Sequence, residues 1–172
     1  GFDALTISTS GHSNTAVGNY ALTGNTTGVR STAVGFEAGD NTSTASDNIS
    51  IGYQARPSSS SSSDQCTLGN TAITDLRCND TSISSLSDSR DKTNIVDIPL
   101  GLSFINTVRP VSFDWNRRDG SMAGKKDFGF IAQELKTVAD ATDYADHMRL
   151  VQDDNPDKLE ADPMKMFPIL VK

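Results

Sequence analysis

A seventeen-residue repeat in the first half of the chain constrains its fold more than any other feature. Glycine recurs at positions 18, 35, 52 and 69, always directly after an aliphatic residue. A short fixed period is typical of stacked turns, none of which can bury its apolar residues alone. Each repeat predicts two short strands and two turns, with Gly in tight or positive-φ corners. We expect two columns to point inward and fill a thin core: Val17, Val34, Ile51, Leu68 and Ala21, Ala38, Ala55.

The composition of the chain changes abruptly at the Leu86–Ser87 bond. The first 86 residues contain no Lys and 29 Ser or Thr, whereas the last 86 contain only 9 Ser or Thr. Such a shift indicates two modules. The formal net charge of -7 argues against a nucleic-acid-binding surface, and no apolar run approaches the roughly 20 residues that span a bilayer. Because the chain starts at Gly1 without a Met, we expect it to be a fragment of a longer protein.

Two polar segments follow the third repeat. The serine run, residues 58–63, buries nothing apolar and predicts an exposed loop or a flexible insert. Residues 71–86 carry isolated apolar residues that cannot form a core in one chain, so three copies wound about one axis are expected to form a β-prism neck. An extended linker is the alternative. The apolar residues concerned are Ile73, Leu76, Ile83 and Leu86.

The cysteines and histidines predict neither a disulfide framework nor a metal site. Cys66 and Cys78 are the only cysteines and are expected to be reduced and partly buried. His12 and His147 stand far apart, without the spacing of zinc ligands. We therefore expect no metal and no cofactor.

A serine and a lysine lie five residues apart at the junction, Ser87 and Lys92. A serine hydroxyl is a weak nucleophile until a base takes its proton. A lysine amine can be that base only when burial or a nearby cation keeps it neutral. Arg90 is the candidate cation, whereas the carboxylates of Asp88 and Asp91 would act in the opposite direction. Because residues five apart on a helix diverge, we expect an extended segment and then a turn, with no helix beginning at residue 87.

The second half predicts a small α+β module. Apolar spacing favours a helix over 99–108 with Pro99 in its first turn, and alternation favours a strand over 111–115. A returning strand over 128–131 and a helix over 132–138 follow, and the last apolar residues indicate a helix near Pro168. All aromatic residues of this half are expected to be core.

Three motifs of the second half resemble those of the peptidase S74 family, the intramolecular chaperones of phage endosialidases, tail fibres and neck appendages. They are Ser-Asp-x-Arg-x-Lys-x-Asn-Ile from residue 87, Arg-Pro-Val-Ser-Phe-Asp-Trp from residue 109 and Gly-Phe-Ile-Ala-Gln-Glu-Leu from residue 129. The resemblance implies a module that helps three chains assemble and then cuts itself off. Ser87 would be the nucleophile, Lys92 the base and Leu86–Ser87 the scissile bond. Arg90 and Gln133 match further motif positions, with supporting roles left open.

The repeats of residues 11–70 resemble the left-handed parallel β-roll of trimeric autotransporter adhesin heads, which also occurs in phage fibres. The expected fold is thus a mainly β, homotrimeric N-terminal half with a C-terminal α+β chaperone domain. Its domains are a β-roll over 1–70, a β-prism neck over 71–86 and an S74-type autoprotease over 87–172.

The predicted function is the distal part of a phage tail fibre or tailspike for host attachment. Its partners would be two further copies of itself, the rest of the viral tail, and a host receptor of glycan or protein nature. We expect it in the virion after assembly in the host cytoplasm, without nucleic acid or membrane insertion. The alternatives are a purely structural fibre segment whose chaperone does not cut, and a bacterial trimeric surface adhesin.

Overall fold

A computed structural model describes residues 1–80 and 82–172 and divides them into two compact units. The first unit comprises Gly1–Ile73 together with Asn116–Ala123 and Asp153–Lys158. The second comprises Thr74–Trp115, Gly124–Gln152 and Leu159–Lys172. Two short segments from the second half of the sequence therefore belong to the unit built on the repeats. None of the helices in the described residues is long and apolar enough to cross a membrane.

The repeats of the first unit form one parallel sheet. Strands β1 (Thr15–Val17), β2 (Thr32–Val34), β3 (Ile49–Ile51) and β4 (Cys66–Leu68) pair in sequence order. Every residue pairs with the one seventeen positions later, as Thr15 does with Thr32. We predicted two strands per repeat, and the structure has one strand of three residues with the rest in turns. The assignment to the β-roll of adhesin heads stays a prediction.

The interior of the repeats is lined by alanines, polar residues and the larger Leu22. The alanine column is fully buried, with Ala21, Ala38 and Ala55 at 0% exposure, as predicted. The aliphatic column is not: Val17 is 56% and Leu68 51% exposed, so the expectation that it points inward is wrong for the single chain. The reason is strand alternation. The middle residue of each three-residue strand faces inward, and its two neighbours therefore face outward.

Partly buried hydrogen bonds from side chains to the backbone hold the corners of the stack. The Asn48 side chain accepts from the backbone N–H of Gln65 at 2.9 Å and donates to the Ser62 carbonyl at 2.8 Å. Asn14, two periods earlier, forms the same kind of bond and accepts from the Ser31 N–H at 2.9 Å. These side chains satisfy turn backbone that no strand partner reaches. Asparagine therefore has the same structural role in two of the turns, at positions 14 and 48.

Residues 71–80 and 82–86 form no strand and lie exposed. Ile83 is 95% and Leu86 82% exposed, and Thr81 lies outside the described residues. A β-prism requires three chains, so the predicted neck stays a prediction. Cys66 and Cys78 are free, as expected, but both are exposed, which corrects the expectation that they are partly buried.

The second unit consists of short helices and two hairpins. After a 3-10 turn (Ser89–Asp91) come α1 (Leu102–Ile105), β5 (Val111–Asp114), β6 (Lys126–Gly129), α2 (Ala132–Asp140) and α3 (Ala145–Met148). Strands β7 (Val151–Gln152) and β8 (Glu160–Ala161), a 3-10 turn (Pro163–Met166) and α4 (Phe167–Leu170) complete the chain. β5 pairs with β6, and β7 with β8, both antiparallel.

One apolar cluster holds the second unit together: Phe104, Ala139, Met148, Leu150, Met166 and Ile169. The predicted helix over 99–108 is reduced to residues 102–105, because Gly101 is extended and offers no side-chain cap. The predicted strands and the helix after residue 131 are present, with shifted ends. The expectation that every aromatic residue is core is wrong for Phe128 and Phe167, which are mostly exposed.

Candidate active site

Ser87 and Lys92 lie in contact. The Lys92 Nζ is 2.7 Å from the Ser87 Oγ, a hydrogen bond between the two side chains that sequence reasoning singled out. The same amine donates to the Ser87 backbone carbonyl at 3.2 Å. A base within about 2.6–3.2 Å of a hydroxyl is close enough to take its proton.

A single turn of backbone brings the two side chains together. Asp88 is extended and caps the turn, because its carboxylate accepts from the N–H of Arg90 at 2.9 Å. The Lys92 N–H then bonds to the Ser89 carbonyl at 3.2 Å, and Lys92 itself returns to extended backbone. The path is extended, then turned, then extended, and no helix begins at residue 87, as predicted.

Arg90 is paired with Asp88 and does not act as the isolated cation that we expected. Its guanidinium donates to both carboxylate oxygens, at 3.0 and 2.7 Å. The hydrogen bonds from Arg90 lower the pKa of the Asp88 carboxyl, and the same pairing raises the pKa of Arg90. Within residues 1–80 and 82–172, no carboxylate lies within 4.0 Å of the Lys92 amine. Asp88, the acidic residue that directly follows Ser87, is thus paired with Arg90.

Both members of the pair are open to solvent. Ser87 and Lys92 are exposed, and Leu86, which carries the carbonyl of the candidate scissile bond, is 82% exposed. A lysine serves as the base for a nucleophile in a desolvated, apolar site. The geometry for proton transfer is therefore in place in one chain, whereas the water exclusion that the chemistry requires is not.

Gln133 lies elsewhere, on the exposed side of α2. Among the described residues its side chain forms no hydrogen bond with Ser87 or Lys92, so its supporting role stays a prediction. Its neighbour Glu134 accepts from Arg109 at 2.9 Å, which ties α2 to the segment before β5. Sequence reasoning quoted both residues as motif positions without recognising the pair.

Comparison with known families finds one match, and it begins at the nucleophile candidate. Residues 87–147 match the family Peptidase S74, described as chaperone of endosialidase. The match covers about a third of the chain, and it includes Ser87, Lys92, Arg109 and Gln133. It supports an endosialidase-type chaperone segment in the second half. No curated protein and no solved structure matches the chain.

Proposed function

We propose that the second half of this chain is an intramolecular chaperone that cuts the chain before Ser87. The observation that carries the proposal is the 2.7 Å contact between Lys92 Nζ and Ser87 Oγ at the first residue of the family match. A structural role for an exposed hydrogen bond of this kind would be weak. The contact places a nucleophile beside a base in a segment similar to a self-cleaving family, and we therefore assign it a catalytic role.

The proposed reaction has two steps. Lys92 takes the proton of the Ser87 hydroxyl, and Oγ attacks the Leu86 carbonyl carbon through a five-membered ring. The Leu86–Ser87 C–N bond breaks, the nitrogen takes the proton back from Lys92, and an ester joins Leu86 to Oγ. Water then hydrolyses the ester, which leaves a carboxylate on Leu86 and restores the Ser87 hydroxyl. The tetrahedral states need hydrogen-bond donors for their oxyanions.

In a trimer, neighbouring copies of the chain would cover surfaces that a single copy leaves exposed. The outward face of the β1–β4 sheet consists of uncharged residues, although parallel sheets are usually covered on both faces. The apolar residues 71–86 and the Ser87–Lys92 pair are also uncovered. A homotrimer would bury these surfaces together, and cleavage would then wait for assembly. The outward residues are Thr15, Val17, Thr32, Val34, Ile49, Ile51, Cys66 and Leu68.

In this proposal the first half is the end of a phage tail fibre or tailspike that attaches to a host surface. A stack of repeats with polar corners is suited to a long thin fibre, and a chaperone that leaves after assembly would trap the fibre kinetically. The receptor would be a glycan or a protein of the host. The chain would lie in the virion, joined to the rest of the tail.

Intact mass after expression tests the proposal directly. Under denaturing conditions we expect two pieces, residues 1–86 and residues 87–172. Under native conditions we expect the mass of a trimer of the piece 1–86. An uncut trimer would favour the alternative of a structural fibre segment with a non-cleaving chaperone. An uncut monomer would contradict both the cleavage and the assembly.

Removing Arg90 should slow the cut by releasing Asp88. Without its guanidinium, the Asp88 carboxylate is free to pair with the Lys92 ammonium and hold its proton, which we expect to slow cleavage about tenfold in Arg90→Ala. Asn at position 88 keeps the cap of the turn, so the double variant Asp88→Asn/Arg90→Ala should regain most of the rate. The cut fraction over time, from denaturing gels, measures both. Equal slowing in the single and double variants would show that Arg90 acts in another way.

A further inference from the structure

The serine run is bound by side chains from more than eighty positions later in the chain. The Asp154 carboxylate accepts hydrogen bonds from the hydroxyls of Ser58 and Ser62, and from the Gln65 Nε2 at 3.3 Å. Asn155 donates to the Ser58 carbonyl at 2.6 Å. All of these residues belong to the first unit. Ser58 and Ser62 are half-buried, which corrects the expectation of an exposed loop at these positions.

A second segment of the same unit contacts the chain just after β4. The Thr71 hydroxyl donates to Asp119 at 2.6 Å, and the Arg117 guanidinium donates to the Thr71 carbonyl. The Arg118 guanidinium donates to the carbonyl of Asp157, which links this segment to the one that carries Asp154. Residues 116–123 and 153–158 therefore act on the last repeat together. We call these two segments the clasp.

The contacts of the clasp are polar and centred on carboxylates. A carboxylate has about four acceptor sites, and hydrogen bonds to a charged acceptor are stronger than neutral ones. The bonds from Ser58 and then Ser62 hold the pKa of Asp154 below its usual range, and bonds from Ser121 and then Thr71 lower the pKa of Asp119 to about 2. Both acids thus stay charged while they hold the repeat.

These contacts lie at the end of the stack of repeats. β4 is the last strand of the sheet, so its repeat has no following repeat to pack against. End repeats of stacked folds need a polar cap, and an uncovered edge strand invites pairing with other chains. The turn that contains the serine run belongs to this last repeat. Its own composition offers no apolar residue with which to close the end.

We propose that the clasp is a removable cap on the last repeat, with the serine run as its binding surface. Both clasp segments follow Ser87 in sequence, so they would leave with the chaperone once the Leu86–Ser87 bond is cut. Only this removal rests on the proposed cleavage. The capping itself concerns the uncut chain. The serine run would be held in one conformation during assembly and become free in the mature fibre.

Amide hydrogen exchange in the uncut chain tests the cap. In a Ser87→Ala background, Asp154→Ala should raise exchange across residues 58–65 about tenfold, while β2 keeps its protection. Asp146→Ala, an exposed acid of α3, is the matched control and should change neither region. Ser62→Ala removes one of the three bonds that Asp154 accepts and should raise exchange less than Asp154→Ala does, and the double variant should add little to Asp154→Ala, because the Ser62 bond is already lost with the carboxylate.

The outcomes separate the cap from the cleavage. Unchanged exchange over residues 58–65 in Asp154→Ala would overturn the cap, whatever the chain does at residue 87. If wild-type protein is cut, the isolated piece 1–86 should exchange over 58–65 as fast as Asp154→Ala does. Slow exchange in that piece would mean that the run holds its own conformation, which also contradicts the proposal. A failure to cut would appear only in the mass measurement.

Discussion

Chains in which Ser87 is replaced by alanine are expected to remain in one piece under conditions in which the wild type is cut. The proposed acyl shift cannot begin without Oγ, and loss of a nucleophile in serine peptidases costs on the order of a million-fold in rate. No cut product should therefore appear within days. Denaturing gels and intact mass check this result. Assembly should be unaffected, so the native mass should still be that of three copies.

Lys92 variants test the other member of the pair. Lys92→Ala removes the base, and Lys92→Arg keeps the positive charge but cannot give up its proton at any physiological pH. We expect both to block the cut. A Lys92→Arg chain that cuts normally would show that residue 92 supplies charge alone, and the proposed base would be wrong.

Ser89→Ala is the matched control for both substitutions. Ser89 lies two residues after the nucleophile, and the bond that it contributes to the turn comes from its backbone carbonyl. Its hydroxyl can be removed without changing that bond, so the variant should be cut at the wild-type rate. If Ser87→Ala is still cut and Ser89→Ala is not, the nucleophile has been assigned to the wrong serine.

The site could be predicted from sequence where it depends on local backbone. Ser87 and Lys92 are joined by one capped turn, and Asp88 followed by a short polar stretch is enough to indicate such a turn. The pairing of Arg90 was not predicted, because its long side chain can reach more than one partner from this turn. The guanidinium could lie near the Lys92 amine, or it could pair with Asp88, as it does in the structure. In the proposed trimer the solvent exposure of the site would depend on the neighbouring copies, which these residues alone do not reveal.

The repeats illustrate a second limit of the sequence. The period was correct, because strand pairing forces equal spacing between equivalent residues. The predicted inward direction of the aliphatic column is wrong for the single chain, because the hydrophobicity of a residue does not by itself decide which face of a strand it occupies. The inward positions of β2 and β3 hold the small residues Ala33 and Ser50, whereas the larger Val34 and Ile51 face outward. In these two strands the smaller side chains are therefore the buried ones.

Gly35→Ala is expected to disrupt the stack of repeats. Gly35 has a φ of +136°, and a Cβ at this position would lie 2.5 Å from the carbonyl oxygen of Gly52 in the next repeat. That oxygen belongs to backbone that cannot withdraw, because the Gly52 N–H is bonded to the Val34 carbonyl at 2.8 Å. The cost combines an unfavourable φ with a backbone clash, and we expect more than about 3 kcal/mol of lost stability. Calorimetry and hydrogen exchange at β2 and β3 measure the loss.

Gly120→Ala measures the cost of a positive φ where no backbone clash occurs. Gly120 also has a positive φ, +77°, but a Cβ there would meet nothing within 4 Å. Its substitution should cost only the strain of the left-handed backbone, about 1–2 kcal/mol, and should leave exchange at β2 and β3 unchanged. The difference between the two variants then combines the close approach of one repeat to the next with the greater strain that a Cβ meets at a φ of +136° than at +77°. Equal losses would contradict both contributions, and would mean that successive repeats lie farther apart than the hydrogen bond between Val34 and Gly52 requires.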